Sequence, residues 1–117
     1  MSGNSAFNVS EALSRLMNNK GLYTKLLTKF HNEYADFAQK VSTALDADNF
    51  DEAVHLAHTM KGLAGNLGAE GLNVASKDLE SALKEGRRER DELGSLYERF
   101  KEELDRAIEE AKNGVDM

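Results

Sequence analysis

Apolar residues recur three, four or seven positions apart along almost the whole chain, and no proline interrupts them. That spacing matches the turn of an α-helix, about 3.6 residues, and not the two-residue alternation of a half-buried strand. Leu22, Leu26, Phe30, Phe37, Val41 and Leu45 mark one long helix, roughly 22–46. Phe50, Ala53, Ala57, Met60, Ala64 and Leu67 mark a second over 50–68, and Leu72, Ala75, Leu79, Ala82 and Leu83 a third over 70–85. Leu93, Leu96, Tyr97, Phe100, Leu104, Ala107 and Ile108 mark a last one over 90–112. A short helix over 10–18, capped by Ser10, precedes them and stops at Asn18-Asn19-Lys20-Gly21. The pattern predicts an all-α fold, an antiparallel four-helix bundle with a short additional N-terminal helix.

With 117 residues the chain is expected to form a single domain spanning 1–117, with a modest core. It has no cysteine, so neither a disulfide framework nor a thiolate metal site is available. No apolar run reaches the roughly 18 residues that mark a membrane span, and the start MSGNSAFNVS lacks a signal-peptide pattern. A cytoplasmic protein, monomeric and not inserted in membrane, is therefore expected. The net charge of −6 is spread along the helices, which argues against nucleic acid as a partner. Arg87, Arg88 and Arg90, interrupted by Glu89 and followed by Asp91 and Glu92, are expected to be a helix-start surface rather than an anion site. Tyr34 and Tyr97 read as core-edge aromatics, and Met1, Met60 and Met117 carry no cofactor signal.

The chemistry concentrates in His58-Thr59-Met60-Lys61-Gly62, continuing through Gly65 and Gly68. Each interior glycine costs a helix about 1 kcal/mol relative to alanine, so the segment gives up stability unless something must approach its backbone. At about 100° per residue, His58 lies roughly 130° from the centre of the buried stripe, with Gly62 and Gly65 beside it on the same face. The imidazole is expected to stand outward over a glycine floor, with Lys61 one turn on and able to reach whatever the ring carries. An exposed imidazole is a nucleophile near neutral pH. No phosphate-binding glycine loop and no acidic cluster suited to Mg²⁺ is present, so ATP binding is not expected.

The segment HTMKGLAGNLGA, followed by Leu72 to Glu80, resembles the histidine-containing phosphotransfer (HPt) domain of bacterial multistep phosphorelays. His58, Lys61, Gly62 and Gly68 meet the family's central pattern, and a glycine at Gly65 is also usual. The resemblance implies a module that relays a phosphoryl group between receiver-domain aspartates, with no kinase or ATPase activity of its own. Its partners would be receiver domains of a hybrid sensor kinase or a response regulator, and the Mg²⁺ ion would belong to them, leaving this chain without a cofactor. His58 would be the phosphoacceptor and Lys61 would offset phosphoryl charge. Gly62 and Gly65 would give access, and Val54, His55, Thr59, Asn66 and the exposed side of the first helix would make the docking skirt. In several family members a Gln near the phosphoryl occupies the position of Glu80, where a carboxylate pointing inward would repel phosphate. Glu80, a further residue near the site, is expected either to pair with Lys61 or Lys77 or to face solvent.

Two other functions fit some of these residues. The chain could be an adaptor bundle that never carries phosphate. Alternatively, His55 and His58, with Glu52, could supply two or three ligands of a small metal-binding bundle, although no second helix offers a matching Glu-x-x-His and His31 has only Glu33 and Tyr34 nearby in sequence. The glycines also admit a packing explanation, strongest at Gly68 and Gly71 near the helix turn and weakest at Gly62.

Overall fold

The structure, a computed structural model, describes residues 5–114. Met1, Met117 and the first residues of the start scanned for a leader lie outside the described residues. Among these residues six helices follow in order: α1 (Val9–Arg15), α2 (Lys20–Glu33), α3 (Phe37–Asp46), α4 (Phe50–Leu67), α5 (Glu70–Lys84) and α6 (Arg90–Asn113). Among the described residues there is no strand. Helices α4, α5 and α6 are three arms of an elongated bundle, α2 and α3 in succession make the fourth, and α1 lies across the end of α4.

The break between α2 and α3 corrects the single helix expected over 22–46. Neither Pro nor Gly marks it; it falls at Tyr34–Asp36, where the Phe37 N–H reaches back to the Tyr34 carbonyl in a tight turn (3.1 Å). Three aromatic rings in consecutive turns here serve different neighbours. Phe30 meets Phe7 edge-on with centroids 6.4 Å apart, Phe37 meets Phe100 of α6 at 6.5 Å, and Tyr34 packs between Phe30 and Phe37. A bend lets each ring find its own pocket. Phe30 is buried as expected, but the first two turns of α2 are shifted by one residue, since Tyr23 and Leu27 are buried while Leu22 is 40% exposed and Leu26 half-buried. Tyr23 wins the inner position because its hydroxyl donates to the Leu67 carbonyl at the end of α4 (2.8 Å), and burial pushes its phenol up to about 12, so it stays protonated.

On α4 the expected stripe is the one buried: Ala53, Ala57, Met60, Ala64 and Leu67 are inaccessible or nearly so, with Leu56 added and Phe50 half-buried. Small alanines there let α4 and α5 approach closely, and these two make the most extensive helix pair. Side-chain caps set the starts of three helices. Asn8, not Ser10, accepts the Glu11 N–H at the head of α1, Asn19 accepts that of Leu22, and Asn49 accepts that of Glu52 at the head of α4.

Gly68 ends α4 in the left-handed region, φ 79°. Its carbonyl accepts the Asn8 N–H (2.7 Å), and a Cβ there would stand 2.6 Å from the Asn8 carbonyl oxygen. The packing explanation thus holds at Gly68, where α1 crosses the α4–α5 turn; at Gly71 a Cβ would run into the end of the Glu103 side chain, which can swing aside. Gly62 differs, because a Cβ there would meet nothing within 4 Å. Gly68→Ala is therefore expected to cost at least about 1–2 kcal/mol from the left-handed backbone alone, whereas Gly62→Ala should gain up to about 1 kcal/mol. Urea unfolding of both variants checks this, and equal effects at the two positions would contradict it.

Candidate functional site

Two adjacent helices build the site. His58 leaves the middle of α4 on its exposed side, with its side chain 63% accessible, and Gly62 one turn on leaves the space beside it open. Lys61 leaves the same helix nearer the α5 boundary and is 33% exposed. From α5, Glu80 turns inward to meet them. Its side chain is only 4% exposed, which makes it the one buried carboxylate among the described residues.

Glu80 is held by three nitrogen groups. Oε2 lies 2.8 Å from the Nδ1 of His58, Oε1 lies 2.8 Å from the Nζ of Lys61, and the Nζ of Lys84, one turn further along α5, stands 3.5 Å from Oε2. Of the two expectations for Glu80, pairing with Lys61 is found. Facing solvent is not, and Lys77 is exposed and takes no part. Burial by itself pushes the Glu80 carboxyl up, but hydrogen bonds and positive charge from Lys61 and His58 outweigh it and hold the group below the ordinary glutamate value. It is therefore ionised at neutral pH.

An ionised carboxylate can only accept a hydrogen bond. The neutral His58 ring must consequently carry its proton on Nδ1, donating to Glu80, and present the unprotonated Nε2 lone pair on its opposite, outer edge. The pairing orients the ring as well as choosing its tautomer. The carboxylate also sits away from where an electrophile would bind, with its own charge offset by Lys61 and Lys84. The arrangement amounts to an oriented, accessible nitrogen nucleophile with a cation close by.

The surrounding residues divide between two sides of α4. His55, Thr59 and Asn66 are exposed, as is Gly62, while Val54 is half-buried. Gly65 is less open than expected, because Asn73 of α5 lies over it. Its Nδ2 would be 3.3 Å from a Cβ at Gly65, and it donates to the Lys61 carbonyl (2.8 Å). Gly65 thus serves the α4–α5 contact, and Gly62 alone of the two is open to a visitor. Asn73 and Lys84 were not anticipated from sequence. Lys84 had a signal, the Glu-to-Lys spacing of four along one helix face, which places the two side chains together. Asn73 had none, since its partner is a backbone carbonyl.

His58 pairs with Glu80 and with neither His31 nor His55. Among the described residues no group of three or more His, Cys, Asp or Glu is gathered as a metal centre requires. Two of the three arginines of the basic cluster are engaged within the fold. Arg87 pairs with Glu85 and Glu92, and Arg88 stacks 4.0 Å over Phe50 while donating to the Leu83 carbonyl at the end of α5. No helix among the described residues is long and apolar enough to cross a membrane.

Comparison with known proteins supplies one match. The family model of the Hpt domain aligns with residues 25–114, which takes in all of α3 to α6, most of α2, and His58, Lys61 and Glu80. Neither the curated proteins nor the solved structures contain a significant match. The matched region covers most of the chain, and the helical bundle agrees with it. This chain belongs to the Hpt domain family, whose members act in phosphotransfer in two-component signalling and interact with receiver domains.

Proposed function

We propose that this chain is a phosphorelay intermediate in which His58 takes a phosphoryl group from a receiver-domain aspartate and hands it to another. The observation that carries this reading is the exposed His58 ring, tied at Nδ1 by Glu80, which leaves Nε2 free above the open space at Gly62. Nε2 attacks the phosphorus of the partner's acyl phosphate in line. The N–P bond forms as the bond to the aspartate oxygen breaks, and the aspartate leaves as a carboxylate. Phosphoryl transfer of this loose kind asks the acceptor mainly for position and for charge to offset the equatorial oxygens.

The phosphorylated ring is an imidazolium, and its Nδ1–H stays paired with Glu80. When a second aspartate attacks, the ring departs as neutral imidazole and the starting tautomer returns. Lys61, on the same helix as His58, is assigned to offset the charge of the incoming group. The Mg²⁺ ion is assigned to the receiver domain, and this chain holds no cofactor. Docking would bring the partner over Gly62, with Val54, His55, Thr59 and Asn66 around it. Work as a monomer in the cytoplasm, serving the receiver domain of a hybrid sensor kinase, of a response regulator or of both, completes the proposal.

Incubation with a phosphorylated receiver domain tests it. Label that is stable to base and labile to acid should appear on the parent chain and be absent from His58→Ala. Lys61→Ala should slow transfer about tenfold, as expected if one charge contact worth about 1.4 kcal/mol is lost in the transition state. Gly62→Leu should block docking while leaving helicity intact. Label that persists in His58→Ala, or full transfer by Gly62→Leu, would contradict the assignment.

Glu80 links the site to stability and so to pH. Because its carboxyl is held below the ordinary value in the folded chain, the anion's contribution is complete above the ordinary glutamate range. That contribution is lost as pH falls through the lowered value. Glu80→Gln is expected to cost on the order of 1 kcal/mol at neutral pH, with the gap to the parent closing in strong acid. Urea unfolding across the pH range measures that gap, and a constant gap would argue against an ionised Glu80.

A further inference from the structure

We infer that Lys84 is a positioning residue: it takes over the neutralisation of Glu80 when Lys61 turns to the phosphoryl group, and so sets how much phosphate His58 holds at equilibrium. This rests on the assignment of His58 as phosphoacceptor. In the resting site Lys61 is committed, with its Nζ 2.8 Å from Oε1 of Glu80. A phosphoryl group on Nε2 lies across the ring from Glu80, so a Lys61 ammonium that reaches it must loosen its hold on that carboxylate. Glu80 is then a nearly buried anion, 4% exposed, short of one partner. An uncompensated charge in such a place is strongly disfavoured.

Lys84 is placed to prevent that. It stands on the helix that carries Glu80, one turn on, with its Nζ 3.5 Å from Oε2 and 62% of its side chain exposed. The separation exceeds the usual length of a charge-assisted hydrogen bond, about 2.7–2.9 Å, so the pair is slack at rest and has room to close. An exposed lysine stem can make that shift without disturbing the core. Lys77 provides the contrast. It is an exposed lysine on the same helix with the same charge, and Glu80 has His58, Lys61 and Lys84 as its partners instead. An effect of Lys84 that came only from general attraction of an acidic partner would be shared by Lys77.

The experiment is the equilibrium partition of phosphoryl label between the full chain and a receiver domain, phosphorylated from acetyl phosphate and chosen because it transfers to the parent chain. Lys84→Ala should lower the fraction held on His58 by about two- to five-fold, the range to which a partly exposed ion pair converts. Lys84→Arg should restore it, and Lys77→Ala should leave it unchanged. In a Lys61→Ala background the Lys84→Ala change should have no further effect, because no hand-over remains to support. Equal shifts in Lys84→Ala and Lys77→Ala, or an undiminished shift in the Lys61→Ala background, would overturn the inference. If the label sits on a residue other than His58, the phosphoacceptor assignment fails and this inference falls with it. Label on His58 with no response to Lys84→Ala sinks only the hand-over.

Discussion

A carboxylate buried among helices must be compensated, and the compensation of Glu80 organises the site. Its two oxygens are shared by His58, Lys61 and Lys84, drawn from two different helices. Removing one partner from such a group leaves a charge where water cannot help it, so the contacts hold one another in place. The ring of His58 gains an orientation that an exposed histidine on an isolated helix would lack, because its Nδ1 is tied from behind while its outer edge stays free. A conformationally free imidazole would exchange its proton between nitrogens and sample several rotamers. Here the surrounding charges choose one arrangement before any partner arrives.

The bundle exists to bring α4 and α5 together at that point. Alanines at 53, 57 and 64 on one helix and at 75 and 82 on the other let the axes approach, and Leu67, Leu72, Leu79 and Leu83 fill what remains. The Asn73 side chain clamps the Lys61 carbonyl, and Gly68 turns the chain under a crossing from α1. Glycine therefore answers two demands along one helix. At Gly68 and Gly65 the neighbour is part of the chain itself, while at Gly62 a Cβ would meet none of the other described residues within 4 Å, so no packing among them accounts for the cost of glycine there.

Much of this was legible in the sequence, and the failures share a cause. The α4 stripe, the outward His58 and the packing role of Gly68 follow from helical geometry, which a sequence encodes directly. The break at Tyr34–Asp36 does not, because it depends on Phe30 and Phe37 packing against Phe7 and Phe100, partners distant in sequence. Leu22 and Tyr23 are both plausible inner residues on a wheel, and the choice is made by a carbonyl at Leu67 that only the fold brings near. Asn8 displaced Ser10 as a cap for the same reason, since its backbone is also anchored to Gly68. The direction of Glu80 lay between two expectations because a helix wheel gives an angle and not a partner. Its link to Lys84 was readable as a local spacing, whereas its link to His58 needed α4 and α5 side by side.

The most direct test of the account is the protonation pattern of the His58 ring, read by long-range nitrogen–proton correlation in a ¹⁵N-labelled chain at a pH where the ring is neutral. The account requires the proton on Nδ1 and an unprotonated Nε2. A ring found with its proton on Nε2, or exchanging freely between both nitrogens, would mean that Glu80 does not set the nucleophile.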